Sequence, residues 1–142
     1  MSPKAYAIIE KYGLKPHPEG GFYRETYRSD HLIEIGDGRL RNLATGIYFM
    51  VPEKITTAWH RVSSDEMWHF YQGDALELEI RDELGKVHLV LLGDDIEAGE
   101  HHQYVVPGGV WQRARSQGLF TFVGCTVTPG FEFDDFEIEK GS

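Results

Sequence analysis

Two segments of the chain carry the side chains best suited to chemistry, residues 59–73 and residues 107–112. The first holds His60, Glu66 and His69 within a run of strand-forming residues, and the second begins a strand behind a Pro-Gly turn. Imidazole and carboxylate groups exchange protons near neutral pH and also bind transition metals. Two such strands that meet inside one barrel would form a buried polar site.

His60 and Glu66 are the candidate catalytic pair. A neutral histidine beside a carboxylate is a competent general base, because its unperturbed pKa is about 6.5. On this hypothesis His60 is the base, Glu66 orients it or acts as a second acid, and Tyr23 or Tyr48 is the partner acid. Burial among aromatic side chains should raise the pKa of Glu66 unless His60 pairs with it. The alternative is a His-Glu pair that is only a satisfied buried contact.

Strand alternation divides the side chains after Glu66 between two faces. Trp68 and Phe70 share the face of Glu66, whereas His69 lies on the opposite face. If Glu66 points into the barrel, Trp68 and Phe70 are candidate ligand contacts, although core packing is the alternative for the tryptophan. His69 is then expected to be a structural hydrogen-bonding residue or a dimer contact.

A short helix is expected at the start of the chain. Ser2 can cap it, Pro3 suits its first turn and Gly13 stops it. Its expected apolar stripe, which would lie against the barrel, consists of Ala5, Tyr6, Ile9 and Tyr12.

Short strands with no helix between them fill most of the remaining sequence, which predicts an antiparallel sandwich or closed barrel. The turn at 36–38 separates the first strand from the rest. The predicted strands are 22–27, 44–51, 59–62, 66–71, 76–81, 87–92, 104–106, 110–115 and 119–128. Residues 132–139 are expected to form a short terminal helix or an extended tail.

The spacing in the first segment resembles the first motif of the cupin superfamily, which has two histidines, a glutamate and a glycine. His60, Glu66 and Gly73 stand at the matching positions, with Val62 in place of the second histidine. The resemblance implies that His60 and Glu66 occupy metal-ligand positions, whereas Val62 removes a ligand.

The second segment resembles the second cupin motif. Pro107 and Gly109 match it, and Gln112 stands where cupins carry a histidine. The resemblance implies that a bound divalent metal would be held by His60, Glu66 and Gln112, with Gln112 as a weak carbonyl ligand. The sequence alone favours a pocket that requires no metal, because catalytic metal sites usually have three or more strong protein ligands.

Three further strings, at residues 17–21, 64–70 and 124–131, resemble a largely uncharacterised cupin family that is similar in fold to the dTDP-sugar epimerases. This resemblance implies an all-β double-stranded β-helix, the cupin jelly-roll barrel, formed by one domain over residues 1–142. It also implies a homodimer. Metal-free sugar epimerases of this fold use a histidine base with a tyrosine acid, which is the arrangement suggested for His60.

The composition of the chain argues against two classes of binding partner. The chain has 142 residues and a net charge of −9, from 23 acidic and 14 basic residues, with no clustered basic face. Nucleic acid and anionic membranes are therefore unexpected partners. A single cysteine, Cys125, excludes an intrachain disulfide. With no signal peptide and no apolar run of about 20 residues, the sequence predicts a cytoplasmic protein.

A small-molecule ligand is the expected partner. Glu19 and Arg24 could line the mouth of its pocket, and Arg24 would suit a carboxylate or phosphate on the ligand. The first functional hypothesis is a non-redox isomerase or epimerase acting on a carbohydrate-like or nucleotide-sugar substrate. The second is a non-catalytic binding or sensor protein, and the third is a metal-dependent cupin dioxygenase or isomerase.

Overall fold

The computed structural model describes residues 1–141, which contain one α-helix and thirteen β-strands. Two 3-10 turns, Ile96–Ala98 and Phe133–Asp135, complete the regular structure. The elements are α1 (Pro3–Tyr12), β1 (Lys15–Pro16), β2 (Phe22–Arg28), β3 (Leu32–Glu34), β4 (Leu40–Asn42), β5 (Thr45–Pro52), β6 (His60–Val62), β7 (Asp65–Gly73), β8 (Leu76–Arg81), β9 (Val87–Leu92), β10 (Gln103–Val106), β11 (Trp111–Ser116), β12 (Phe120–Thr128) and β13 (Phe136–Ile138).

The strands form two main antiparallel sheets that enclose the core. The larger sheet has the order β1-β2-β5-β12-β7-β10, and the smaller has the order β13-β6-β11-β8-β9. Strands β3 and β4 form a separate hairpin. The core between the sheets includes Phe49, Trp68, Leu78, Val106 and Val123, all almost fully buried. The all-β prediction is confirmed, and the nine predicted strands have ends within two residues of those observed.

Strand β8 shows how the sequence positions one wall. Leu76 and Leu78 are fully buried between the sheets. The alternating residues Glu77 and Glu79 point outward, where they form ion pairs with arginines of the neighbouring β11. A period of two therefore separates the core face from the solvent face.

Helix α1 covers part of the outer face of the larger sheet, over strands β5 and β12. The Ser2 hydroxyl accepts a hydrogen bond from the amide of Ala5 at 3.2 Å, and Gly13 ends the helix in a left-handed conformation with φ of 63°. Its buried face comprises Ala5, Ile8, Ile9 and Tyr12. The expected stripe was wrong at Tyr6, which is exposed, because positions 5, 8, 9 and 12 share one face of a helix of about 3.6 residues per turn.

The last segment, predicted as a short helix or an extended tail, combines the 3-10 turn Phe133–Asp135 with an extended strand. Its strand β13 pairs with β6, placing Phe136 opposite Val62 and Ile138 opposite His60. We call residues 131–139 the C-terminal strap. Five ion pairs link it to the rest of the described chain, Glu132 with Arg28, Asp135 with Arg39 and with Arg41, Glu137 with Arg61, and Glu139 with Arg81. No helix in residues 1–141 is long and apolar enough to span a membrane.

Candidate functional site

A cavity of about 400 Å³ lies beside β6, β2 and the C-terminal strap. Five of the residues predicted from sequence line it together, namely His60, Glu66, Glu19, Tyr23 and Arg24. The cavity is large enough for a small organic ligand, since ligand pockets typically measure roughly 300–1,000 Å³. The predicted pocket near His60 and Glu66 therefore has a physical counterpart.

Two oxygen atoms contact the same nitrogen of the His60 ring. Its Nδ1 lies 2.8 Å from the Ala58 carbonyl oxygen and 2.8 Å from Glu19 Oε2. Because both neighbours are acceptors, Nδ1 must carry a proton. The Nε2 atom has no hydrogen-bond partner among residues 1–141, and it is therefore the atom that gains or loses a proton.

Glu19 reaches His60 because a tight turn directs it inward. The amide of His17 donates to the carbonyl of Gly21 at 2.9 Å, and the amide of Ala58 donates to the carbonyl of Glu19 at 2.8 Å. Gly20 and Gly21 adopt positive φ angles of 109° and 79°. A β-carbon on Gly21 would lie 2.6 Å from the Met50 carbonyl oxygen, so this position requires glycine.

The carboxylate of Glu19 keeps His60 protonated. Burial of the ring by itself lowers the His60 pKa, but the charge and hydrogen bond of Glu19 oppose it, followed by the charge of Glu66 and the Ala58 carbonyl. Together they raise the His60 pKa to about 9. Glu19 Oε2 is buried and makes no hydrogen bond of regular geometry within residues 1–141, so its charge is compensated by the 2.8 Å ion-pair contact with the imidazolium. The site therefore holds a buried ion pair at neutral pH.

Glu66 lies at the inner end of a buried hydrogen-bond chain. Trp68 Nε1 donates to Gln112 Oε1 at 2.9 Å, and Gln112 Nε2 donates to Glu66 Oε1 at 2.7 Å. Burial raises the pKa of Glu66 to about 7, against the opposing effects of His60, Gln112 and the thiol of Cys125. The expected rise in this pKa is therefore found, and Glu66 changes its charge near neutral pH.

His17 supplies a second imidazole, and this ring is neutral. Its Nδ1 accepts a hydrogen bond from the amide of Glu19 at 3.1 Å. Nδ1 also lies 3.4 Å from Glu19 Oε1, but the backbone donor is shorter and cannot turn away, so we assign Nδ1 as the acceptor. Burial lowers the His17 pKa, although Glu19 opposes the effect. The proton of the neutral ring therefore resides on Nε2, and His17 also lines the cavity.

The C-terminal strap gives the cavity an aromatic wall. Phe131, Phe133 and Phe136 contact one another edge to face, with ring centroids 4.9–6.0 Å apart. The ring of Phe136 also lies 5.8 Å from those of His17 and His60. Sequence reasoning missed this wall, although the alternation of Phe136 and Ile138 with Glu137 and Glu139 was a signal of a strand.

Besides His60, three basic residues line the cavity, and two of them were not predicted. Arg28 is bound to Glu25 and Glu132, so its charge is neutralised. Lys15 lies at the exposed edge, with its ammonium 5.7 Å from the centroid of the Tyr23 ring. Arg24, which was predicted, is exposed and donates from Nη1 to the Tyr12 carbonyl at 3.1 Å.

Four other predicted site residues do not line the cavity. Trp68 and Phe70 lie in the core between the sheets, and Gln112 is fully buried between Trp68 and Glu66. Tyr48 packs on the opposite side of the larger sheet, with its ring 4.6 Å from that of Tyr12 in α1. Of the two candidate acids, Tyr23 is therefore the one in the cavity.

The expected role of Glu19 requires correction, whereas the expected orientation of His69 does not. Glu19 was expected at the pocket mouth, but its side chain is buried and takes the place beside His60 that was expected for Glu66. His69 faces away from the cavity, as alternation predicted, with its Nε2 3.0 Å from Thr126 Oγ1.

The donor atoms do not fit a transition metal. His60 Nε2 and Glu66 are present, but Val62 offers no ligand. The oxygen of Gln112 is occupied by the indole N–H of Trp68, and its amide N–H by Glu66, so Gln112 presents no free oxygen. Within residues 1–141, no three His, Cys, Asp or Glu side chains are grouped to hold a metal ion. Two ligands fall short of the three that catalytic sites usually use.

The family of the chain follows from comparison with known proteins. The model of the family described as "Cupin superfamily (DUF985)" matches residues 6–139. The chain therefore belongs to this family, and the predicted cupin resemblance is confirmed. An uncharacterised protein of Saccharomyces cerevisiae is 29% identical over 150 residues, which span 94% of this chain and 74% of the yeast protein.

Solved structures agree on the fold. A hypothetical protein from Leishmania major is 36% identical, with a TM-score of 0.88 over 95% of this chain and 86% of that one. A protein from Shewanella oneidensis is 37% identical, with a TM-score of 0.86 over 94% and 82% of the two chains. Oxalate decarboxylase from Bacillus subtilis is 13% identical, with a TM-score of 0.63 over 87% of this chain and 29% of that chain, and so supports the jelly-roll fold alone.

Proposed function

We propose that this cupin-family protein is a non-redox isomerase or epimerase that moves a proton at a carbon next to a carbonyl, in a small carbohydrate-like substrate. The observation that carries this proposal is the pairing of Glu19 with His60 Nδ1 at 2.8 Å, which leaves Nε2 free beside Glu66 in one cavity. Proton transfer by such positioned groups needs neither a metal nor a redox cofactor.

The protonation states favour a division of roles that differs from the one predicted from sequence. With pKa values of about 7 for Glu66 and about 9 for His60, the main form between these limits has a carboxylate and an imidazolium. We therefore propose Glu66 as the base and His60 as the acid, rather than His60 as the base. Glu19 positions His60 and does not itself touch the reacting atoms.

In the proposed reaction, Glu66 takes the proton from the carbon next to the carbonyl. The electron pair of the broken C–H bond forms a C=C bond, and the carbonyl oxygen becomes an enolate oxygen. His60 Nε2–H stabilises this charge or returns a proton, and the hydroxyl of Tyr23 and the neutral His17 Nε2–H are further donors in the same cavity. The aromatic wall of the strap would exclude water from the enolate.

Deuterium exchange tests this proposal. The protein is incubated in D2O with a panel of phosphorylated and carboxylated hydroxy-aldehydes, hydroxy-ketones and nucleotide keto-sugars, and loss of the C–H signal is followed by proton NMR. We expect exchange with at least one compound, abolished in His60→Asn and reduced at least about tenfold in Tyr23→Phe.

Two matched control variants lie outside the cavity. His69→Asn and Tyr48→Phe change the same residue types outside the cavity, and both should keep exchange near the wild-type rate. Absence of exchange across the panel, or full exchange in His60→Asn, would refute the proposed activity and favour a binding or sensor role.

We also propose that two copies associate through the outer face of the larger sheet. Toward its β10 edge, this face contains Met67, Val105 and the uncharged group His69, Gln103 and Thr126, in which Gln103 Nε2 lies 3.3 Å from His69 Nδ1. Burial lowers the His69 pKa, which keeps the patch uncharged. A chain of net charge −9 repels its copies elsewhere, so an uncharged face is where a second copy can approach.

A further inference from the structure

His17 is fixed in the cavity wall through both its backbone and its ring. Its backbone amide donates to the Gly21 carbonyl at 2.9 Å, and its carbonyl accepts from the amide of Gly20 at 3.0 Å. The ring meets those of Tyr23 and Phe136 at steep angles of 70° and 72°, with centroids 4.6 and 5.8 Å apart. These contacts leave the imidazole little freedom to rotate, so the fold sets the direction of its Nε2–H bond before a ligand binds.

The two imidazoles of the site face the cavity through the same ring atom. Glu19 lies on the Nδ1 side of both rings, with Oε1 3.4 Å from His17 Nδ1 and Oε2 2.8 Å from His60 Nδ1. Neither Nε2 atom has a hydrogen-bond partner in residues 1–141. In that part of the chain, Glu19 Oε2 is the single buried side-chain polar atom without a hydrogen bond, so both Nε2 atoms are accessible from the cavity that the two rings line.

The two rings differ in charge. His60 is an imidazolium because the Glu19 carboxylate contacts its Nδ1, whereas His17 Nδ1 accepts the backbone N–H of Glu19 at 3.1 Å. Burial lowers the His17 pKa, and the charge of His60 adds to this effect while Glu19 opposes it. The cavity therefore contains one imidazole that can give up a proton and one that keeps it. A neutral imidazole N–H is suited to polarise a carbonyl oxygen without protonating it.

We infer that the neutral Nε2–H of His17 binds the carbonyl oxygen of the ligand, and that in the proposed reaction it stabilises this oxygen as the enolate. His60 is then free to return a proton to the carbon. The binding of the oxygen does not require turnover, whereas the effect of His17 on the rate rests on the proposed function.

The protons and electron pairs of this step balance without any further reactant. Glu66 takes the C–H proton, the electron pair of that bond forms C=C, and the carbonyl pair moves onto the oxygen at His17. A proton from His60 then forms the new C–H bond with the C=C pair, and the C=O bond forms again. Solvent returns the proton from Glu66 to His60. The hydrogen bond from His17 strengthens as the oxygen becomes an anion, so it lowers the barrier more than it tightens binding.

Two amide variants separate oxygen binding by His17 from a structural role. In His17→Asn the side-chain oxygen can still accept the Glu19 amide in place of Nδ1, but the Nε2–H is lost. In His17→Gln the longer side chain can place an amide N–H near the Nε2 position, but the acceptor for Glu19 is lost. For the panel compound that exchanges fastest, His17→Asn should lower kcat at least about 100-fold and raise KM less than about fivefold. His17→Gln should recover about tenfold of this loss.

Glycolohydroxamate, a planar mimic of an enediolate, tests the oxygen contact without turnover. It should shift the Nε2–H proton of His17 downfield in NMR of 15N-labelled histidine rings, and its Kd should rise about tenfold or more in His17→Asn. His60 should still titrate near pH 9 in this variant, because Glu19 keeps its place. His88→Asn is the matched control, since this ring contacts Asp82 outside the cavity, and it should leave binding and exchange as in the wild type.

The possible results separate this inference from the proposed activity. The inference is overturned if His17→Asn exchanges at nearly the wild-type rate, if His17→Gln is slower than His17→Asn, or if the rate loss comes with a shifted His60 titration. The ring would then serve only to hold the Glu19 amide. An unmoved His17 Nε2–H resonance on addition of glycolohydroxamate would overturn it as well. A shifted resonance in a wild type that exchanges no panel compound would refute the activity but retain His17 as the oxygen-binding group of a non-catalytic site.

Discussion

Replacing Glu19 with glutamine should convert His60 from a protonated imidazolium into a neutral imidazole at pH 7. Glu19 contributes both the main charge and the main hydrogen bond that raise the His60 pKa to about 9. Without them, burial should bring this pKa to its ordinary value of 6.5 or below. The change corresponds to about 3 kcal/mol, at about 1.36 kcal/mol for each pH unit.

The effect should appear in folding stability with a definite sign. A histidine whose folded-state pKa is raised stabilises the protein fully below its unfolded pKa and loses that contribution as pH rises through the folded value. The stability of the wild type relative to Glu19→Gln should therefore fall by about 3 kcal/mol between about pH 6 and pH 10. Urea unfolding at a series of pH values measures this difference.

NMR titration of the labelled histidine rings measures the pKa directly. Glu25→Gln is the matched control, since this cavity carboxylate binds Arg28 and not His60, and it should leave the His60 titration in place. If wild-type His60 titrates near 6.5, or if Glu19→Gln leaves its midpoint near 9, the imidazolium argument fails. The proposed acid role of His60 would fail with it.

Three further outcomes follow from the same contacts. The rate of deuterium exchange should show a bell-shaped pH dependence, with limbs near the pKa values of about 7 for Glu66 and about 9 for His60. A rate maximum below pH 6 would contradict the assigned roles. Gln112→Leu should lower the free energy of unfolding by about 2–4 kcal/mol, because it leaves the buried Trp68 Nε1 without an acceptor, and urea unfolding measures this loss. The same change removes the hydrogen bond that Glu66 accepts, so it should raise the Glu66 pKa further, which carboxyl NMR measures. If two copies associate through the outer face of the larger sheet, light scattering should give the mass of a dimer for the wild type and of a monomer for Val105→Glu. An unchanged mass in the variant would exclude this face as the dimer interface.

The sequence predicted the neighbourhood of His60 and Glu66 because both lie in one short segment with a bend between two strands. It did not predict the contact of Glu19 with His60, because these residues are far apart in the chain and meet through the backbone bond between Ala58 and Glu19. The His-Pro-Glu-Gly-Gly string indicated a tight turn, but it did not show that this turn places the Glu19 side chain beside His60.

The sequence left the choice between Tyr23 and Tyr48 open for a different reason. Strand β5 is apolar throughout because α1 covers one face and the core covers the other, so its period of two is hidden. The structure places Ile47 in the cavity and turns Tyr48 toward the helix. Strand β2, by contrast, is partly exposed, and its Tyr23 lies opposite Lys15 at the cavity edge.

Val62 and Gln112, which weaken the metal site, also favour the proposed acid–base site. A carboxylate bound to a metal cation would be held ionised, because an adjacent positive charge lowers its pKa. Here Val62 removes one donor, and Gln112 gives its N–H to Glu66 instead of an oxygen to an ion. A neutral amide compensates only part of the burial cost, which leaves the Glu66 pKa at about 7 and makes this carboxyl able to take up and release a proton. The cation of the site is then the imidazolium of His60, whose own proton is available on Nε2 because Glu19 and Ala58 occupy Nδ1.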